Sequence, residues 1–152
     1  MAYVTRFSMP RCALALTLAL AVALSARAAD IGQVKVAKGR VDVERAGATV
    51  PATVGTRLQE ADVVRTGPDG SVGITMSDDS LLSAGPNSVL SLDRYAFDAT
   101  THAGRFDTTL NKGTLNVISG RIAKQSPDAM TVRTPHAVLG VRGTHFLVSH
   151  DE

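Results

Sequence analysis

The stretch Thr134-Pro135-His136-Ala137-Val138-Leu139-Gly140-Val141-Arg142-Gly143-Thr144-His145-Phe146-Leu147-Val148 decides the reading of this chain. It begins with Thr134-Pro135, and because proline cannot donate to a strand ladder the pair reads as the terminator of an edge strand. Glycines 140 and 143 then permit a bulge or tight bend around Arg142. The stretch closes on alternation, with Phe146 and Val148 on one side and His145 and Leu147 on the other, the period-two signature of a half-buried strand.

The same alternation recurs upstream, at Val41 and Val43, at Val72, Ile74 and Met76, at Leu90 and Leu92, and at Leu115 and Val117. Turn-forming residues separate these runs, among them Lys38-Gly39, Ala46-Gly47, Gly67-Pro68-Asp69-Gly70, Ser77-Asp78-Asp79-Ser80, Gly85-Pro86-Asn87-Ser88 and Asn111-Lys112-Gly113. No window after the N-terminal segment carries a sustained i, i+3, i+4, i+7 apolar stripe, so no helix longer than a turn is expected. The pattern predicts an all-β domain of short strands. Residues 98–104 and 124–129 read as surface loops, and Asn111-Lys112-Gly113 as the turn of a central hairpin. Strands with one apolar face each must stack as two sheets or coil into a solenoid-like roll.

The N-terminus has the three parts of a secretory signal. Arg6 and Arg11 supply the positive region, residues 13–24 an apolar run, and Ala26-Arg27-Ala28 a small-x-small cleavage site. The apolar run is shorter than the ~20 residues a membrane-spanning helix needs, which favours a cleaved signal peptide over residues 1–28. An uncleaved signal anchor is the alternative. Cleavage implies a periplasmic or secreted protein with no transmembrane span.

Cys12 is the one cysteine and leaves with the signal, so residues 29–152 have no thiol for a disulfide, a nucleophile or a metal. Removing Arg6, Arg11 and Arg27 from 16 basic residues leaves 13 against 14 acidic ones, a formal net charge of −1. The remaining Lys and Arg are scattered among Asp and Glu without the stripe that a phosphate backbone demands, so no nucleic-acid partner is expected. With no tryptophan in the chain, the core must be built from Val, Leu, Ile and Ala, and carbohydrate stacking is disfavoured. A mature chain of this length holds a single domain.

Thr134-Pro135 followed by the Val-Arg-Gly-Thr-x-Phe-x-Val segment at 141–148 resembles the FecR-domain family of exported all-β modules. The order of Gly39-Arg40-Val41, Asp62-Val63-Val64-Arg65-Thr66-Gly67, Asp78-Asp79-Ser80-Leu81, Gly85-Pro86-Asn87-Ser88, Gly113-Thr114-Leu115 and Gly120-Arg121-Ile122 extends the resemblance over nearly the whole mature chain. It implies short strands in two twisted sheets, a sandwich with solenoid character. It also implies envelope signalling, with a membrane or envelope protein as partner. Where relatives have glycine after the first Asp of the Asp-Gly-Ser turn, this chain has Asp79, a residue that still tolerates positive φ. Only Met1 to Arg11 precede the apolar run, so the resemblance implies a stand-alone module without a cytoplasmic sigma-factor segment. The chain ends soon after the Phe-x-Val strand, which predicts an open sheet edge at residues 143–149 or at the N-terminal strand, residues 32–37.

Arg142 is the leading candidate for a contact, because a guanidinium between glycines can grip a carboxylate or phosphate bidentately. An internal ion pair with an Asp, or a cap on backbone carbonyls, is the preferred reading of Arg142. Thr144 and His145 adjoin it, and His102 and Arg105 are further candidates near the 98–104 loop. His145 and His150 are an odd number of residues apart and fall on opposite faces of a strand, so no metal site is expected. The Ser77-Asp78-Asp79-Ser80 segment lacks the oxygen count and spacing of a calcium loop and reads as a turn. No nucleophile with base, carboxylate pair or phosphate loop has a local signature, and neither enzyme activity nor a cofactor is expected. Two functions fit: a protein-interaction module working by strand addition, or a sensory module that binds a small molecule or cell-wall ligand.

Overall fold

The computed structural model describes residues 28–141 and 145–151. The expected signal segment, up to Arg27, lies outside them. The strands are β1 (Asp30–Lys38), β2 (Val41–Arg45), β3 (Ala48–Pro51), β4 (Arg57–Gln59), β5 (Val63–Thr66), β6 (Ser71–Met76), β7 (Leu81–Ala84), β8 (Val89–Phe97), β9 (Gly104–Ile118), β10 (Met130–Thr134), β11 (Ala137–Gly140) and β12 (His145–His150), with one short helix, α1 (Arg121–Gln125), and a 3-10 turn at Pro127–Ala129. The fold is all-β, as the alternation predicts. Val41, Val43, Val72, Ile74, Met76, Leu90, Leu92, Leu115, Val117 and Val148 are all buried in one core, and Phe146 packs against it.

The strand pairing does not confirm the two-sheet sandwich. All strands join a single sheet in the order β3-β2-β5-β8-β9-β7-β6-β1-β4, with β10, β11 and β12 branching from β9. The sheet is open and curled. The reason lies in β9, which is long enough to serve two arms. Its N-terminal half pairs with β8 and β10, and its C-terminal half with β7 and β12.

The predicted hairpin at Asn111-Lys112-Gly113 is likewise replaced, because the chain bends there without reversing out of β9. Gly113 sits at φ +90°, and a Cβ on it would run into Ser88 Oγ. The turn before β8 closes on this bend: Thr114 N–H donates to Ser88 Oγ (3.1 Å), while Thr66 Oγ1 donates to the Gly85 carbonyl (2.6 Å). A straight strand would hold Gly104 and Ile118 roughly 46 Å apart. Here the chain just past β9 comes back to the start of the strand, since the Ile122 side chain lies against Gly104.

Residues 124–129 are not the loop expected. β10 runs parallel to β9, and a parallel return requires a crossover rather than a tight turn. The α1 and 3-10 segment supplies it and buries Ile122 and Ala123. Its five residues of α1 slightly exceed the single turn anticipated. The 98–103 segment is an exposed turn, as expected, with the Asp98 carboxylate accepting the Thr100 and Thr101 N–H groups (2.7 and 3.2 Å). Those two N–H groups hold the Asp98 carboxyl below the usual carboxylate range.

Candidate functional site

Three of the four exposed margins of the sheet are easily told apart by their residues. β3 ends in Pro51, and β4 is three residues long with Arg57 at its start. Both are devices that discourage pairing with another chain. β12 is different. It pairs with residues 113–118 of β9 and with no other strand among the described residues. None of its six side chains is Asp, Glu, Lys or Arg, and Leu147 is 69% exposed. The fourth margin, β11, is similar, paired among the described residues to β10 alone and showing Val138 and Leu139 to solvent.

A groove of about 340 Å³ runs between these two uncharged margins, lined by Leu139, Val141, Phe146 and Val148 among others. The rings of His136, after β10, and His150, at the end of β12, stand edge to face with centroids 5.3 Å apart. His150 Nε2 is buried there without a hydrogen-bond partner among the described residues. Thr134 ends β10, as expected, but β10 is not an edge strand, since β9 flanks one side and β11 the other; the Thr134 hydroxyl accepts the Ala137 N–H (3.1 Å) across the Pro135-His136 turn.

Residues 62–152, more than half of the chain, match the family described as FecR protein. The chain belongs to the FecR family. No curated protein and no solved structure matches it. The matched segment begins at Asp62, so the resemblance seen over residues 32–58 lies outside it. The family is linked to envelope signalling, and FecR domains are generally extracytoplasmic. No helix among the described residues is long and apolar enough to cross a membrane.

The three candidate contact residues of this FecR chain that the structure describes do not converge. Arg142 and Thr144 lie outside the described residues. His145 is exposed on β12, its Nε2 2.7 Å from Asn116 Oδ1. Arg105 points out of the other arm and is held by Asp107, Nε to Oδ2 2.7 Å. His102, at φ +58°, stacks on Phe97 with centroids 6.3 Å apart. Each is engaged by a different neighbour. The N-terminal strand, the second edge expected, is an interior strand: β6 flanks one side of β1 and β4 the other, and Val34 N–H donates to the Thr56 carbonyl (2.9 Å).

The most densely bonded polar residues lie in the 77–80 segment, whose sequence announces only a turn. Asp78 and Ser80 are fully buried. The Asp78 carboxylate accepts Ser80 Oγ–H (2.8 Å), Ser80 N–H (3.2 Å), Ile122 N–H (3.3 Å) and the Tyr95 hydroxyl (3.2 Å). Ser80 Oγ accepts Gly120 N–H (2.9 Å), and the Asp78 carbonyl accepts Arg121 N–H (2.8 Å). Burial, followed by the Asp78 charge, drives the Tyr95 hydroxyl pKa up. A Cβ on Gly120 would run into the Asp78 carbonyl. The family's Asp-x-Ser and Gly-Arg segments are therefore two halves of one clasp. Asp79 takes φ +65°, so the turn survives without glycine, and its carboxylate meets Arg121 at 2.6 Å. The chain spacing between 78 and 120 hides this contact; a buried Asp-x-Ser pair opposite a required glycine was the available signal.

Proposed function

We propose that this FecR-family chain is an exported, non-enzymatic protein-interaction module that works in the periplasm as an accessory part of envelope signalling. It adds an extended segment of a membrane or envelope protein to the open edge of β12. The observation that carries this reading is the edge itself: a six-residue strand, bonded on one side, with no charge or proline to repel a partner. Main-chain N–H and C=O groups supply affinity in such strand addition, and the alternate side chains His145, Leu147 and Ser149 supply selectivity.

The test is in-cell crosslinking of a tagged chain with single prolines at Leu147, Val148 and Ser149. Prolines on the β9 side of the ladder lower the melting temperature, whereas those at outward donors leave it in place. The variants that keep the wild-type melt are expected to lose the crosslinked envelope protein. Capture undiminished in those folded variants would remove the basis for strand addition.

A further inference from the structure

The ladder registers show which side chains of β11 and β12 face the groove between them. Residues that stand opposite each other in a ladder point to the same side of the sheet. Phe146 stands opposite the buried Val117 and Val148 opposite the buried Leu115, so these two form the inner row of β12. Leu139 stands opposite the buried Val132, and Val141, two residues on, is itself buried and donates its N–H to the Met130 carbonyl (3.1 Å). The walls of the groove are thus the inner rows of two strands, apolar on both sides. None of the described lining residues is Asp, Glu, Lys or Arg, and Arg133, opposite the exposed Val138, belongs to the outer face.

We infer that the groove selects the segment added at β12 by taking in every second side chain of it, and that this segment carries branched aliphatic residues, Val, Ile or Leu, at consecutive inward positions. The inference rests on strand addition at β12 and adds what the added segment must contain. An added strand continues the pleat of β12, so its alternate residues join the row of Phe146 and Val148 and enter the groove. A charged side chain placed there would lose its water and find no counter-charge on the walls, which is costly. At interior packing density the groove's 340 Å³ suits about two branched aliphatic side chains. Such residues also favour the extended backbone that the ladder needs. The covalent link leaves the width for a strand. Two strands that flank a third lie roughly 10 Å apart, and the four steps of chain from Val141 to His145 reach up to ~13 Å when extended.

The test is fluorescence anisotropy of the full chain, purified as the cell delivers it, with three fluorescein-labelled peptides. They share a lysine-rich tail for solubility and differ only in the strand: Thr-Val-Thr-Val-Thr, Thr-Ser-Thr-Ser-Thr or Thr-Glu-Thr-Glu-Thr. The valine peptide is expected to bind at least tenfold more tightly than either of the others. Leu139→Asp, checked for an unchanged melt, should erase that preference. Should this variant unfold, Leu139→Thr keeps a β-branched residue on β11 and supplies the readout. Equal binding of all three peptides, abolished by N-methylating alternate peptide nitrogens, would overturn the groove's role and leave strand addition standing. Binding of the valine peptide that survives N-methylation would overturn both, because no ladder would then hold it. Failure of the valine peptide to bind, whether the groove then takes labelled laurate, a second copy of the chain or nothing, would also overturn the inference.

Discussion

The curled sheet is closed on one side and open on the other, and the two sides are made of opposite materials. On the closed side Asp78, Ser80, Tyr95, Gly120 and Ile122 bind three distant pieces of chain through buried polar contacts. On the open side β11 and β12 face each other across a groove with apolar walls and unpaired ladder edges. Polar groups sit where directionality is required to fix geometry, and apolar groups sit where something else can still arrive. Substitution on the closed side should therefore be read in stability, and on the open side in association.

The largest effect is expected at Asp78. Replacing it with alanine strands the Tyr95 hydroxyl, the Ser80 hydroxyl and the Ile122 N–H in a buried site. With each unsatisfied buried group costing ~1–3 kcal/mol and some relief from entering water, a loss of about 3 kcal/mol is expected in urea unfolding. A loss below about 1 kcal/mol would mean that the clasp is not what holds the arms together.

Tyr95→Phe is a milder probe of the same clasp, with a loss of about 1–2 kcal/mol at neutral pH from the missing hydroxyl. Its pH dependence carries more information. The native hydroxyl pKa lies above the unfolded value of ~10, so the stabilisation is fully present below that pH and is lost as pH rises from there through the native value. Wild type should thus lose stability faster than Tyr95→Phe above pH ~10. The chain has two tyrosines, and Tyr3 belongs to the expected signal segment, so absorbance at alkaline pH follows Tyr95 alone in the processed protein. Ionisation of the folded protein near pH 10 would contradict the buried contact with Asp78.

What the sequence makes legible follows from the range of each interaction. Alternation within a strand is local, so Val72, Ile74 and Met76 announce their own burial, and Gly39, Gly47 and Asn87 sit at positive φ in turns read in advance. The bend in β9 is not local. Asn111-Lys112-Gly113 has the composition of a hairpin turn, and only the docking of Ser88 on Gly113 shows that the strand continues through it. The crossover at α1 is hidden for the same reason, since whether β10 returns parallel is decided by pairing across more than twenty residues. The site divides in the same way. The terminal strand is legible from the alternation at Phe146 and Val148, whereas the cover over β1 is not, because the three residues of β4 carry too short a pattern to detect.

The smallest change in stability, and the sharpest contrast with Asp78, is expected for Leu147→Lys. The side chain already lies largely in water and its strand neighbour is Asn116, so no cavity forms and no buried group loses a partner. A change within ~0.5 kcal/mol in unfolding is the expectation for such a surface site. The lysine nevertheless adds an edge-strand charge of the kind β4 carries at Arg57 and β12 lacks, one that must be desolvated when another strand is laid alongside. Capture of the envelope protein in crosslinking should fall sharply while the melt stays put. Unchanged capture would place the partner elsewhere, on β11 or on the groove wall. Loss of capture together with loss of fold would show that the open side, too, helps hold the sheet together, and that the division between a polar clasp for stability and an apolar margin for association is too clean.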